Sequence, residues 1–231
     1  MQDLVIYNGQ ARSFAQTVNS HWFRLLRHLD EPTVIVSVAA DEQAKDMELL
    51  TKFVKKTHIE YVTQPNIKDP LVQPGMLGIY PPSTDPQGIL KQLWSLYQAW
   101  QFAKNTVNVN AFDRVIRIRP DLVLDRVEFP VKPLQPNECH VPWWASWGGV
   151  NDRFALMGPE AAEYYYGTWI NCGALLEEGC PLHPETLIYE SLRDGDIYPQ
   201  RDLQAEFVTL RLDGSVVPMS ITAADLAHFR R

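Results

Sequence analysis

The chain has 231 residues, enough to bury one sizeable core or two small ones, and its 45% hydrophobic and 21% charged content is that of an ordinary soluble globular protein. A net charge of −7 argues against general nucleic-acid binding, which needs a basic footprint to displace counterions. It leaves room for a local basic pocket that takes a phosphorylated small molecule. The three cysteines, Cys139, Cys172 and Cys180, have no CxxC spacing and include an odd one, which suits a reducing compartment rather than a zinc site. Met1 to Tyr7 lacks the basic region and long apolar core of a signal peptide. No window approaches the roughly 18 apolar residues of a membrane span, so no transmembrane segment and a cytoplasmic location are expected.

Taken in order, Leu4 to Tyr7 reads as a buried strand ended by Asn8-Gly9. Ser13 with Gln16 makes a capping-box pattern, and Phe14, Val18, Trp22, Leu25, Leu26 and Leu29 follow helical spacing up to Asp30. Pro32 breaks that helix, and Thr33 to Val38 is a second apolar strand. Asp41 caps another expected helix with the stripe Ala44, Met47, Leu50 and Val54, and Ile59, Tyr61 and Thr63 suggest a third strand. Strand–helix–strand–helix–strand implies a parallel sheet covered on both faces.

Gln64 to Gly88 is dense in proline and glycine, and a loop this long is expected to be functional or disordered. Its apolar members Leu71, Met76, Leu77, Ile79 and Tyr80 argue for an ordered flap. Ile89 to Asn105 reads as a helix apolar on most sides, hence deeply packed. Val115, Ile116 and Ile118 alternate with Arg117 and Arg119 as in a half-buried strand, which Pro120 should end at Arg119. Short strands are expected at Val127 to Phe129, His140-Val141 and Phe154 to Met157, with helices from Gly158-Pro159 and from His183-Pro184-Glu185. Ala205 to Leu212 and Ser215 to Pro218 suggest a hairpin around Asp213-Gly214, and Thr222 to Arg231 a last short helix.

Several of these segments carry chemistry. Gly9-Gln10-Ala11-Arg12 joins the first strand to a helix, whose free N–H groups and positive dipole end suit a phosphate, and Arg12 adds a fork-shaped charge. An ordinary turn with a solvated Arg fits that stretch equally well. Neither GxGxxG nor a Walker-type GK[ST] is present, which leaves Rossmann dehydrogenases and P-loop enzymes unsupported. Arg117, Arg119 and Asp121 lie at the carboxyl end of an expected central strand, where open α/β sheets bind ligands. From strand grammar alone they divide evenly between a ligand site and a solvated strand end. Asp121 could hold Mg²⁺ or Mn²⁺, or the two guanidinium groups could neutralise a leaving diphosphate directly. Asp152, in a turn after two glycines, could orient an acceptor hydroxyl or take its proton; a turn Asp bonded to backbone is the alternative. Trp143, Trp144 and Trp147 lie beside it and offer faces on which sugars stack, though tryptophans are more often core. His183 and Glu185 open a helix, where Glu is favourable for the dipole alone; the functional options are a base, a metal-facing His or a positioning carboxylate.

In this order, Gly9-Gln10-Ala11-Arg12, Arg117-Ile118-Arg119-Pro120-Asp121-Leu122, Gly149-Val150-Asn151-Asp152-Arg153-Phe154-Ala155 and His183-Pro184-Glu185 resemble a known family. It comprises small bacterial and viral glycosyltransferase-like proteins with a GT-A-type nucleotide-sugar-binding fold, marked by GQxR, RxRPDL, GGxNDRFA and HPE motifs. The resemblance runs from Leu4 to about Gly214. It implies a single GT-A-like domain over 1–231, three α/β/α layers around a mostly parallel sheet, and a hexosyltransferase-like enzyme. That enzyme would move a sugar from a nucleotide-diphosphate donor to a hydroxyl on a glycan or glycoconjugate, as in polysaccharide biosynthesis. It further implies Gly9, Arg12, Arg117, Arg119 and Asp121 at the donor, Asp152 and then Glu185 on the acceptor side, and Mn²⁺ or Mg²⁺ held by Asp121 and His183. Arg119 stands where such folds carry the first Asp of Asp-x-Asp, a departure that leaves metal dependence open, since a guanidinium there could replace part of the metal's charge. The alternatives are a catalytically inactive nucleotide-sugar-binding protein and, further off, a sugar-phosphate nucleotidyltransferase.

Overall fold

The structure, a computed structural model, describes residues 1–67, 86–130 and 132–218. Most of the expected flap and the expected last helix lie outside those residues. Strands β1 (Asp3–Gly9), β2 (Thr33–Ala39), β3 (Lys56–Val62) and β4 (Arg114–Ile118) run parallel, with β6 (Cys139–His140) and β7 (Phe154–Met157) completing a sheet of order β3-β2-β1-β4-β7-β6. β7 runs antiparallel to both of its neighbours. The inner strands are apolar on both sides, as a sheet with two covered faces requires. Along β1, Leu4 and Ile6 enter one core while Val5 and Tyr7 enter the other.

Helices α2 (Pro86–Thr106), α3 (Pro159–Glu177) and α4 (Pro184–Asp194) cover the Leu4 face, where Trp100 and Tyr166 stack at 5.4 Å between ring centroids. Helix α1 (Phe14–Arg24) and a 3-10 stretch, Ala44–Lys52, cover the other face. A second, antiparallel sheet of β5 (Leu122–Val127), β8 (Ala205–Leu210) and β9 (Val216–Val217) adds to that side, with Leu122 and Phe207 in the same core. The expected α/β architecture with a mostly parallel, doubly covered sheet is therefore what the chain builds.

Several local expectations are corrected. β4 is buried along its whole length rather than half-buried, because both of its faces are covered, Val115 packing in the core under α2–α4 and Ile116 and Ile118 in the core under α1 and the second sheet; even Arg117 is only 1% exposed. The strand stops at Ile118, one residue earlier than expected, and β5 starts at Leu122 instead of Val127. The stretch after Asp41 is a 3-10 helix and not an α-helix. Its buried residues Ala44, Met47 and Leu50 are spaced by three, the repeat at which a 3-10 helix aligns its side chains. Ser13 makes no capping box, since its hydroxyl donates to the Leu210 carbonyl at 2.8 Å. α1 gives way after Arg24 to a short 3-10 turn, Leu26–His28.

Candidate functional site

The carboxyl ends of β1 and β4 open into a cleft of about 310 Å³, walled on one side by the first turns of α2. From β1 and the turn after it come Asn8, Gly9, Gln10 and Arg12; from β4 and its end, Arg117 and Arg119. α2 adds Gly88, Lys91, Gln92 and Ser95, and Arg211 enters from the end of β8. Gly9 has φ +115°, a left-handed conformation that side-chain-bearing residues adopt at a cost, and this lets the chain leave β1 sharply toward α1.

Hydrogen bonds from three elements knit the floor. Thr17 Oγ1 donates to the Pro120 carbonyl at 2.7 Å, and the Leu210 N–H to the Asp121 carbonyl at 2.8 Å. Together with the Ser13–Leu210 bond, these hold Arg12, the Pro120-Asp121 turn and Arg211 side by side. Buried His21 adds to the knot, with Nε2 at 2.6 Å from the Leu122 carbonyl and Nδ1 at 3.1 Å from the Tyr7 hydroxyl. Burial lowers its pKa to about 4, against the weaker pull of the Leu122 bond and Asp121.

Five cationic side chains, Arg12, Lys91, Arg117, Arg119 and Arg211, thus line a cleft that no carboxylate among the described residues lines. Arg119 is spoken for: its Nε and Nη2 donate to the two oxygens of Asp121 at 3.0 and 2.6 Å, and its Nη1 lies 3.9 Å from Asp152. Burial disfavours the Arg119 cation, but Asp121 and then Asp152 outweigh it and raise its pKa. Arg12, Lys91 and Arg117 form no ion pair among the described residues. Arg117 donates through Nη1 to the Arg153 carbonyl at 2.5 Å, while its buried Nε has no hydrogen-bond partner among the described residues. The same holds for Oδ1 of Asn8.

Because β7 is antiparallel, the Asn151-Asp152-Arg153 turn that enters it sits at this same edge, with Phe154 opposite Ile118. Asn151 locks the turn: its Oδ1 accepts the Arg153 and Phe154 N–H groups and its Nδ2 donates to the Trp144 carbonyl. Gly149 lets the preceding loop lie on α4, since a Cβ there would be 1.9 Å from the Glu185 carbonyl oxygen. Asp152 does not line the cleft. It stands one side chain back, accepting from Gln92 Nε2 at 2.5 Å with Arg153 Nε at 3.7 Å. Burial opposes its charge, but Arg119, Arg153, Arg117 and the Gln92 bond prevail and lower its pKa.

Glu185 and His183 lie further back, at the start of α4. Burial, then the negative charge of Asp152, raises the Glu185 pKa well above the carboxylate range. Its Oε2 lies 3.1 Å from His183 Nε2 yet has no hydrogen-bond partner among the described residues. Burial lowers the His183 pKa, and its Nδ1 meets Thr186 Oγ1 at 2.8 Å. Two neighbouring carboxyl groups are thereby driven in opposite directions, Asp152 toward its ionised form and Glu185 toward its protonated form.

Gly9, Arg12, Arg117 and Arg119 are therefore together in the cleft wall, Asp121 and Asp152 are joined to it through Arg119, and His183 and Glu185 form a layer behind. Sequence reasoning missed Lys91, Gln92 and Ser95. With Gly88 they make a polar stripe on an otherwise packed helix, which was the signal available. Arg211 had no signal short of the second sheet that delivers it. Of the three tryptophans, Trp144 is buried against Phe207, while Trp147 is 40% exposed.

No protein-family model matches the chain, and no curated protein does. Among solved structures, the galactosyltransferase LgtC with donor and acceptor sugar analogs is 11% identical at a TM-score of 0.48, over 82% of this chain and 70% of that one. Mouse xyloside xylosyltransferase 1 in its apo form is 10% identical at 0.46, over 85% and 82%. The apo-form glycosyltransferase GlyE of Streptococcus pneumoniae TIGR4 is 11% identical at 0.47, and this chain spans 44% of its length. Likenesses this distant carry no activity over; the chemistry of the cleft has to supply the case.

Proposed function

We propose that the protein is a glycosyltransferase that moves a sugar from a nucleotide-diphosphate donor to a hydroxyl acceptor on a glycan or glycoconjugate. One observation carries this most: cations that form no ion pair among the described residues, Arg12, Lys91, Arg117 and Arg211, converge at the carboxyl edge of a parallel sheet, the edge at which open α/β sheets bind their ligands. Breaking the bond between the sugar's C1 and the donor phosphate leaves negative charge on the diphosphate. Fixed guanidinium and ammonium groups stabilise that charge as it develops. In this proposal Gly9 and Arg12 lie against the nucleotide and Arg117 and Arg119 against the diphosphate, with Asp121 holding Arg119 in place.

Asp152 is the proposed acceptor-side carboxylate and Glu185 the second choice. An acceptor O–H reaches Asp152 by replacing the Gln92 N–H on its Oδ2, one hydrogen bond for another. A carboxylate with a lowered pKa is a weak base, so it takes the proton late, once bonding to C1 has made the acceptor oxygen acidic. The reduced cysteines suit a cytoplasmic setting, and no helix among the described residues is long and apolar enough to cross a membrane.

The second reading is a protein that binds nucleotide sugars without turnover, favoured by one feature: both carboxylates nearest the cleft are already engaged by Arg119. Incubation with a panel of nucleotide sugars and glycan acceptors, with release of nucleoside diphosphate as the readout, tests the proposal. Transfer product with nucleoside diphosphate supports it. Binding without release under any condition favours the second reading, and pyrophosphate release from a nucleoside triphosphate and a sugar phosphate would point to a nucleotidyltransferase instead.

A further inference from the structure

We propose that the donor's diphosphate is held by cationic side chains alone, without a divalent metal ion; the inference rests on the donor-site reading above. A bridging Mn²⁺ or Mg²⁺ needs several oxygen ligands that face the phosphates. The described residues do not fit that need. Both oxygens of Asp121 accept from Arg119, and Asp152 lies behind the cleft wall with Gln92, Arg119 and Arg153 around it. His183 turns its two nitrogens toward Thr186 and Glu185. Among the described residues no three His, Cys, Asp or Glu side chains come together as a metal site.

Among the described residues, the charges that line the cleft are all positive. A metal ion there would be repelled by Arg117 and Lys91, whereas a diphosphate ester is attracted by them. Arg117 supplies the second, independent pointer to an anion. It is 1% exposed, it lines the cleft, and its Nε–H has no acceptor among the described residues. A buried charged donor left without an acceptor is costly, and a phosphate oxygen would relieve it. Arg12, Lys91 and Arg211 bring further positive charge around it.

Isothermal titration of the full chain with inorganic pyrophosphate and with ADP, CDP, GDP and UDP, in excess EDTA and separately in excess Mn²⁺, tests this. The expected result is binding of at least one diphosphate in EDTA that excess Mn²⁺ does not strengthen and that weakens as salt is raised. Arg12→Gln and Lys91→Gln, which break no ion pair of the described residues, should each weaken binding by about ten- to a hundredfold, as loss of a charge-assisted hydrogen bond does. Arg117→Met should do at least as much, with circular dichroism reporting its fold. Binding that EDTA abolishes and Mn²⁺ restores would overturn the inference while leaving the glycosyltransferase proposal standing. Full affinity in Arg12→Gln and Lys91→Gln would overturn it as well. No binding of any diphosphate or nucleotide sugar in either medium would overturn both.

Discussion

Replacing Asp152 by Asn separates a carboxylate that acts on the acceptor from one that merely braces the cleft wall. The substitution keeps the shape and removes the charge. Arg119 Nη1 and Arg153 Nε lie 3.9 and 3.7 Å from its oxygens, and at the effective dielectric of a protein each pair is worth about 4 kcal/mol before desolvation is subtracted. Breaking a buried pair by removing one partner costs about 3–5 kcal/mol; since Arg119 keeps Asp121, the low end applies here. For a chain of this length about 3 kcal/mol lowers the melting temperature by roughly 6–12 °C. Transfer should fall by about 10²- to 10⁴-fold, the usual contribution of a positioned proton acceptor. Gln92→Ala supplies the contrast, because it bares Asp152 to the cleft without touching its charge. It should keep or raise the transfer rate, with the change appearing in the acceptor KM. The assay is release of nucleoside diphosphate at saturating donor, with melting curves on both variants. If Asp152→Asn turns over like the parent, or if Gln92→Ala loses as much activity as Asp152→Asn, Asp152 acts only by bracing and the acceptor role is refuted.

Three further outcomes follow from buried groups around the site. His21, fully buried, titrates at about 4 instead of 6.5, so the folded state binds fewer protons and loses stability as pH falls below 6.5. The loss is complete near pH 4 and amounts to about 3 kcal/mol, readable as melting temperature against pH, and absence of an acid limb in His21→Gln relative to the parent checks it. Glu185 has the opposite sign: its raised pKa gives stability that is fully present below the ordinary carboxylate range and lost as pH rises through the raised value. Glu185→Gln, which carries that proton's place permanently, should flatten this decline; an unchanged profile would show that Glu185 is ionised in the fold. Gly149→Ala forces a methyl group into the Glu185 carbonyl, so the loop must lift from α4 at a cost of about 1–3 kcal/mol, and the Asn151-Asp152 turn moves with it. Denaturant titration measures the cost, and lost transfer at full diphosphate affinity would mark the acceptor side as the part displaced.

How much of this was legible from the residues alone differs by length scale. The β1–β2–β3 wing announced itself, because two continuous apolar strands and a third marked by Ile59, Tyr61 and Thr63, with apolar-striped segments between them, admit few other arrangements. The motif residues Gly9, Arg12, Arg117 and Arg119 are brought together as their shared placement at strand ends implied. What stayed hidden was set by tertiary neighbours. Arg117 looked like the polar member of an alternating strand, and only the helices packed over the Val115 face of β4 turned it into a buried cation. Asp121 read equally well as a metal ligand, and the guanidinium two residues before it took both of its oxygens. Arg211 lies 199 residues from Arg12 in sequence, and it is the contacts of the Ser13 hydroxyl and the Asp121 carbonyl with the Leu210 backbone that bring it to the cleft.

A thermal-shift screen of the parent chain against a panel of nucleotide sugars and nucleoside diphosphates bears most directly on the central claim. A true donor supplied at about a hundred times its Kd adds about 2.7 kcal/mol of stability, a rise of roughly 5–10 °C for a chain of this size. That rise is expected for at least one nucleotide sugar, and it should shrink in Arg12→Gln and Arg117→Met. If no nucleotide sugar or nucleoside diphosphate moves the melting temperature, with or without Mn²⁺, the cleft at the ends of β1 and β4 is not a donor site.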